Sequence, residues 1–389
     1  MPLKVIAVVG TRPEVIKMAP VVLRLKEDRR HFEVQVCVTA QHRDLLDPML
    51  RTFGLRPDVD LDLMRPKQTL SSFLPGVLQG MDQVLERERP GIILAVGDTA
   101  TVLGAALAAF DRKIPFGHVE AGLRSFDKWS PWPEEKIRVM VDHLSDLLFV
   151  PTPMDRGNLL RENIDPAKIF VTGNATVDAL LWAASIPHSF SCAELKSLRA
   201  DARIVVITLH RRESFGKPLE RVFRAIMAAV RRLDSLTWVY PVHPNPGVRD
   251  TARKMLRHPR VLLVPPLDYL DFVHLMKRAE FIISDSGGIQ EEAPSLGKPV
   301  LVVREKTERL ESLGNGGSRL VGTSGRILLR ELIRQEADGT SKSGSSITNP
   351  YGDGMAADRI ARAILFWAGI TCERPAEFRC PDNFNKEII

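Results

Sequence analysis

Residues 280–299 read Glu280-Phe-Ile-Ile-Ser-Asp-Ser-Gly-Gly-Ile-Gln-Glu-Glu-Ala-Pro-Ser-Leu-Gly-Lys-Pro299, and their order decides the fold class. Phe281, Ile282 and Ile283 form a short apolar run, the mark of a buried parallel strand. Ser284 to Gly288 crowd small residues into a turn. Ile289 to Leu296 resume with helical spacing, and Gly297 with Pro299 ends the helix. Strand, glycine turn and helix start make a phosphate-binding arrangement. With no side chains at Gly287 and Gly288, backbone N–H groups can approach an anion, and the helix dipole adds partial positive charge. Glu291 and Glu292 stand in the first turn or just past it, where a carboxylate accepts hydrogen bonds from two ribose hydroxyls. An ordinary strand-to-helix turn capped by Ser286 fits the same residues.

A chain of 389 residues is long enough for two domains, each with its own core. Its 44% hydrophobic and 26% charged residues are those of a soluble globular protein. The net charge of +6 is mildly basic, with Lys and Arg scattered among acids. Clusters such as Asp28-Arg29-Arg30 and Arg231-Arg232 read as solvated helix faces rather than a nucleic-acid surface. An anionic small molecule suits this balance better. Cys37, Cys192, Cys372 and Cys380 form no CxxC pair, which fits a reducing cytoplasm and argues against structural zinc. The apolar start, residues 5–9, is too short for a signal peptide, and no segment approaches the ~20 apolar residues of a membrane span. The expectation is a cytoplasmic protein without nucleic-acid or membrane partners.

Strands and helices alternate along the chain. In the first half, strands are expected at 4–9, 34–39, 92–96, 115–119, 147–150 and 169–171. Helices are expected over 13–29, from about 44, over about 69–89, 100–110, 134–144 and 153–163, with 57–68 irregular and 121–133 a long loop. The second half repeats the scheme: strands 203–208, 236–240, 261–264, 281–283 and 299–303, and helices 217–232, 268–278 and 324–336. Pro187, Ser189 and Ser191 mark a linker over 173–202, and 338–350 reads as a flexible loop. A last amphipathic helix, about 355–368, carries Ile360, Ile364 and Trp367 on one face. Alternation of this kind implies α/β architecture: two Rossmann-like, doubly wound parallel sheets facing a cleft.

Polar turns fall where strands end, the functional edge of an open α/β sheet. Arg12 and Lys17 flank a helix N-terminus after Gly10-Thr11; a capped first helix with solvated cations fits as well. Asp98, in Gly97-Asp98-Thr99, fits a site carboxylate or the N-cap of helix 100–110. Glu120 ends an apolar strand, where a carboxylate is costly unless it works or pairs, with Arg124 the candidate partner. Glu134 and Glu135 suit a helix N-terminus on dipolar grounds alone. His210-Arg211-Arg212-Glu213 puts a His and two Args at a strand end, a fit for a diphosphate.

Taken together, the motifs at 10–20 (Gly-Thr-Arg-Pro-Glu-Val-Ile-Lys-Met-Ala-Pro), 39–43 (Thr-Ala-Gln-His-Arg), 97–99 (Gly-Asp-Thr), 118–124 (His-Val-Glu-Ala-Gly-Leu-Arg) and 130–135 (Ser-Pro-Trp-Pro-Glu-Glu) carry a family resemblance. So do 210–216 (His-Arg-Arg-Glu-Ser-Phe-Gly), 240–243 (Tyr-Pro-Val-His), 284–292 and 349–354 (Asn-Pro-Tyr-Gly-Asp-Gly). In this order they resemble the non-hydrolysing bacterial UDP-N-acetylglucosamine 2-epimerases over nearly the whole chain. The resemblance implies a GT-B architecture, with residues 1–172 plus about 355–389 forming one domain and 173–354 the nucleotide-binding one, and a homodimer. It implies conversion of UDP-N-acetylglucosamine to UDP-N-acetylmannosamine by elimination and re-addition of UDP through 2-acetamidoglucal, with no cofactor and no metal.

By position, Asp98, Glu120 and Glu134 are then the acid/base set, with His210 beside them. Ser286, Gly287 and Gly288 bind the diphosphate, Glu292 the ribose, Leu267 and Phe272 the uracil. Arg12, Lys17 and Arg309 line the phosphate and sugar region. Gln41, His42, Arg211 and His243 match a site at which many relatives bind a second UDP-N-acetylglucosamine as activator. Asp44 and Lys67 stand where some relatives have Gln and Arg, and Leu310 where the family has proline. A hydrolysing 2-epimerase, a GT-B glycosyltransferase and a non-catalytic nucleotide-sugar binding protein are the alternatives.

Overall fold

The computed structural model describes residues 1–40, 43–65, 68–211, 216–307, 309–314, 317–339 and 347–380. They form two compact units, one of Met1–Ala179 with Tyr351–Cys380, the other of Leu180–Pro350.

The first unit holds seven parallel strands: β1 (Leu3–Val9), β2 (Phe32–Val38), β3 (Val59–Asp60), β4 (Ile92–Val96), β5 (Phe116–Val119), β6 (Leu147–Val150) and β7 (Ile169–Val171), in the order β3-β2-β1-β4-β5-β6-β7. Val5 to Val8 and all of β4 are fully buried, because helices cover both faces of a parallel sheet. That is why these strands read as unbroken apolar runs. The order reverses between β1 and β4, and the pairing Val5↔Ile92 through Val8↔Ala95 brings their following turns side by side. Such a switch point is where open α/β sheets bind ligands.

Three features differ from expectation. The stretch 57–68 contains β3, a two-residue strand paired Cys37↔Val59 and Val38↔Asp60, too short to show any period. The expected linker begins with a helix, Ala175–Ser185, whose Asp178 accepts hydrogen bonds from Ala356 N (3.2 Å) and Ala357 N (2.9 Å) at the start of the last helix, Ala356–Trp367. Burial pushes the Asp178 carboxyl up to about 6 despite those donors. Along that last helix Ile360 and Ile364 are fully buried, whereas Trp367, its final residue, is exposed and does not share their packing.

The last helix is held to the first, Arg12–Glu27, by Arg24 Nε to Asp358 at 2.9 Å. Beyond it the chain runs along β7. Arg374 donates to Ile169 O (2.6 Å), Phe378 N donates to Val171 O (2.8 Å), and the Phe378 ring is buried. A tail with no legible role thus satisfies the open edge of the sheet.

The second unit repeats the plan with β8 (Arg203–Thr208), β9 (Leu236–Pro241), β10 (Val261–Val264), β11 (Ala279–Ser284), β12 (Val300–Val302) and β13 (Ser318–Leu320), all parallel, in the order β10-β9-β8-β11-β12-β13. Its core centres on Trp238 and Phe281, stacked edge to face at 6.4 Å. β13 and the single helical turn Glu311–Gly314 are too short to have been legible. Asp271 pins the segment before β8 by accepting from Ser191 N, Cys192 N and His188 Nε2 (2.6 Å). His188, Asp268 and Asp271 have side-chain atoms within 4.8 Å of one another, but Asp268 caps the helix Tyr269–Arg278 and the other two pin this segment. All four cysteines are free. Among the described residues no helix is long and apolar enough to cross a membrane.

Candidate active site

In the first unit Asp98 and Glu120 lie on turns at the C-terminal ends of strands and Glu134 lies at a helix start, each in its own environment. Asp98 follows β4. It does not cap the next helix, whose N-cap is Thr99; instead Arg138 binds its Oδ2 through Nε (2.7 Å) and a terminal guanidinium nitrogen (2.6 Å). Glu120 follows β5 with φ +65°, a left-handed conformation uncommon for a non-glycine residue and found where a site holds its backbone. Its carboxylate is buried and paired with Lys17. Arg124, the partner expected from sequence, pairs with Asp142 (2.7 Å) and Glu162 (2.7 Å) instead. Glu134 opens the helix Glu134–Leu144, and its Oε2 is buried without a hydrogen-bond partner among the described residues. Its neighbour Glu135 answers to no helix dipole alone: it accepts from Ser125 N and Phe126 N, both at 2.9 Å, and so folds the preceding loop back onto the helix.

Behind these groups lies a buried polar row. His118, fully buried on β5, faces Asp142 with Nδ1 (2.6 Å) and the Gly97 carbonyl with Nε2 (2.7 Å). It therefore ties the Asp98 turn to the Glu120 strand. Burial alone would raise Asp142, but His118 and Arg124 outweigh it and hold the carboxylate below its ordinary range. Arg12 is exposed at the first position of its helix and has no ion-pair partner among the described residues. Lys17, one turn on, is not a solvated cation but the counter-ion of Glu120.

In the second unit the helix Gly287–Glu292 starts at the glycine pair, gives way to a 3-10 turn at Ala293–Leu296, and ends at Gly297 with φ +66°. The single helix expected over 289–296 is thus two short pieces. Ser286 occupies the N-cap position, yet its side chain makes no capping bond, so the plain capping reading is not realised. A Cβ on Gly288 would meet only Ser286 Oγ, at 3.8 Å, so the fold itself does not require glycine there. Glu292 is half-buried, and its charge, after burial, raises the Tyr269 hydroxyl. Leu267, just before the N-cap Asp268, and Phe272, in the first turns of the helix that Tyr269 opens, are half-buried. Arg309 is held by Glu291 through Nε (2.6 Å), with its backbone N on Thr307 Oγ1 (3.1 Å).

Asp285, fully buried, was not singled out from sequence. It accepts from His210 N (3.1 Å) and Arg211 N (3.0 Å), and its carbonyl accepts from Arg211 Nε (3.0 Å). It joins the turn after β8 to the turn after β11, across the second switch point. The His210 ring stacks on His243 at 6.2 Å. Gln41, His42, Lys67, Arg212 and Glu213 lie outside the described residues, as does the Asp44 side chain.

A family profile described as UDP-N-acetylglucosamine 2-epimerase matches residues 24–365. The chain is 47% identical over 370 residues to the UDP-N-acetylglucosamine 2-epimerase of Salmonella typhimurium, covering 93% of this chain and 98% of that one. The chain belongs to the UDP-N-acetylglucosamine 2-epimerase family. A crystal structure of a family protein from Listeria monocytogenes matches with TM-score 0.89 at 41% identity, over 97% of this chain and all of that one. A UDP-GlcNAc 2-epimerase from Neisseria meningitidis, solved bound to UDP-GlcNAc, matches with TM-score 0.83 at 39% identity, over 93% of this chain and all of that one. The two parallel-sheet domains are those of the GT-B class.

For a family member, the residues missed from sequence are instructive. Glu14, Asp142 and Arg138 bring ionisable groups behind the turns of the first unit, and Asp285 does so in the second. Glu14 and Asp285 stand inside the quoted motifs, but nothing in a motif distinguishes a side chain that faces a ligand from one that faces its own backbone.

Proposed function

We propose that this protein interconverts UDP-N-acetylglucosamine and UDP-N-acetylmannosamine without hydrolysing them. One observation carries the reading: three carboxylates in one unit sit on strand-end turns and a helix start, each held differently. Asp98 is ion-paired to Arg138, Glu120 is buried against Lys17, and Glu134 has a buried unpartnered oxygen. Inverting C2 requires removal of a hydrogen that no neighbouring carbonyl acidifies. Breaking the anomeric C–O bond lets UDP leave with its electron pair, and positive charge develops at C1. The C2 hydrogen becomes acidic, a carboxylate takes the proton, and 2-acetamidoglucal forms. Protonation at C2 from the opposite face and return of UDP to C1 complete the inversion. Atoms and electrons balance with no hydride acceptor.

Each face of C2 needs one proton carrier, which is the work assigned to Asp98, Glu120 and Glu134. The leaving diphosphate needs donors, assigned to the N–H groups at Ser286, Gly287 and Gly288 with His210, Arg12 and Arg309, while Lys17 lines the sugar region beside Glu120. Glu292 takes the ribose hydroxyls, and Leu267 and Phe272 the uracil. The same reading carries a homodimer, and an activating second UDP-N-acetylglucosamine held by Arg211 and His243 with Gln41 and His42. The stack of His243 on His210 supports a link between that activator and the diphosphate.

Proton NMR of the purified protein with UDP-N-acetylglucosamine alone tests the reading. Two UDP-sugars at equilibrium are expected. Free N-acetylmannosamine as the main product would overturn it in favour of the hydrolysing reaction.

A further inference from the structure

Glu14 is a buried acid at the first switch point that the proposed reaction leaves without work. It is 3% exposed, and its hydrogen bonds cap the start of its own helix on one side and reach the turn after β4 on the other. Its Oε2 accepts from Gly10 N (2.5 Å) and Thr11 N (3.0 Å), the residues that leave β1. Its Oε1 accepts from Thr99 Oγ1 (2.6 Å), next to Asp98 in the turn that leaves β4. Space around this bridge is tight: a Cβ on Gly10 would overlap the Thr39 and Thr101 hydroxyls, which bond each other at 2.8 Å. One turn further along the same helix, Lys17 pairs with Glu120. The first helix therefore reaches both carboxylate-bearing turns, one through Glu14 and one through Lys17. The second unit has a counterpart in Asp285, which likewise bridges the two turns at its switch point.

We infer that Glu14 is a positioning residue: its carboxyl group clamps the Asp98 turn to the N-terminus of the first helix, and so sets the placement of Asp98 relative to the Lys17–Glu120 pair. The inference rests on the reaction proposed above. Glu14 touches no reacting atom; it acts through Thr99 and the Gly10–Thr11 backbone. Burial, with a smaller push from Asp98, raises its carboxyl to about 7 against the pull of its three donors. Asp98 is the charged group that faces it, with Arg138 behind Asp98 and Lys17 one turn away toward Glu120. The charge of Glu14 is thereby coupled to that of Asp98.

Glu14→Ala and Glu14→Gln separate the clamp from the charge. Alanine removes all three bonds. Glutamine keeps an oxygen for the two backbone N–H groups and an amide for Thr99, but carries no charge. The Ala variant is expected to lose about 10²-fold in kcat, the scale of a misplaced proton carrier, with UDP affinity by calorimetry within about threefold. The Gln variant is expected to recover kcat to within about tenfold of wild type. Any limb of the pH–rate profile near pH 7, where the wild-type Glu14 carboxyl changes charge, should be absent from the Gln variant. Unchanged kcat in the Ala variant overturns the inference. So does a Gln variant as slow as Ala with an unmoved pH profile.

A wild-type protein that turns over no UDP-N-acetylglucosamine defeats the proposed reaction instead. The clamp then has its own readout, the difference in Tm between wild type and Glu14→Gln across pH. A folded value raised from 4.5 to about 7 means wild type loses stability relative to the Gln variant as pH climbs through that window, and levels off above it. A difference that stays flat over the same window overturns the buried clamp.

Discussion

Lys17 on the first helix is ion-paired with Glu120 just past the end of β5, where Glu120 holds a left-handed backbone at φ +65°. The pair spans the switch point of the first sheet. Removing the ammonium leaves a buried carboxylate without its counter-ion, which is costly in a place of low dielectric. Lys17→Met keeps the length and removes the charge. Turnover is expected to fall by about 10²-fold or more, with UDP affinity changed much less. Steady-state rates beside calorimetric UDP titration check this, and an equal loss in both would place Lys17 on the diphosphate instead.

Asp98→Asn, Glu120→Gln and Glu134→Gln preserve size and much of the hydrogen bonding but remove the ability to cycle a proton. Turnover is expected to fall by roughly 10² to 10⁴ for each essential group, with UDP binding changed little. Near wild-type turnover in all three would defeat the assignment of the site.

Gly288→Ala gives the opposite emphasis. Its added Cβ meets only Ser286 Oγ at 3.8 Å, so Tm should stay near wild type. A methyl group where phosphate approaches the backbone should still weaken UDP binding. Glu292→Gln removes a charged acceptor, and loss of one such bond costs about 1.5–3 kcal/mol, or about ten- to a hundredfold in affinity. Calorimetry with UDP measures both.

Asp142→Asn tests the polar row. Burial works against the carboxylate, but His118 and Arg124 hold its folded value below the ordinary 3.8. A lowered value stabilises the fold above 3.8 and ceases to do so as pH falls through the folded value. Breaking a buried charge network of this kind costs about 3–5 kcal/mol. Urea unfolding should show that gap at neutral pH and a narrowing gap in acid; a gap independent of pH would contradict the charge account.

The parallel strands were legible because burial on both faces leaves apolar runs such as residues 5–8 and 92–96, and the glycine turn after β11 was legible from its small residues. β3 and β13, at two and three residues, carry no period to read. The helix Ala175–Ser185 hid behind Pro187 and Ser189, which signal a linker only after it has ended. In the site, positions were legible and partners were not. Glu120 was marked by the cost of a carboxylate at an apolar strand end, but nothing local separates Lys17 from Arg124 as its partner. That choice depends on where the first helix lies across the sheet.

The most direct test is solvent exchange at C2. Incubated with UDP-N-acetylglucosamine in deuterated water, the protein should form UDP-N-acetylmannosamine carrying deuterium at C2, read by NMR, because the proton removed passes to a carboxylate and is replaced from solvent. UDP-N-acetylmannosamine formed with protium retained at C2 would contradict the account.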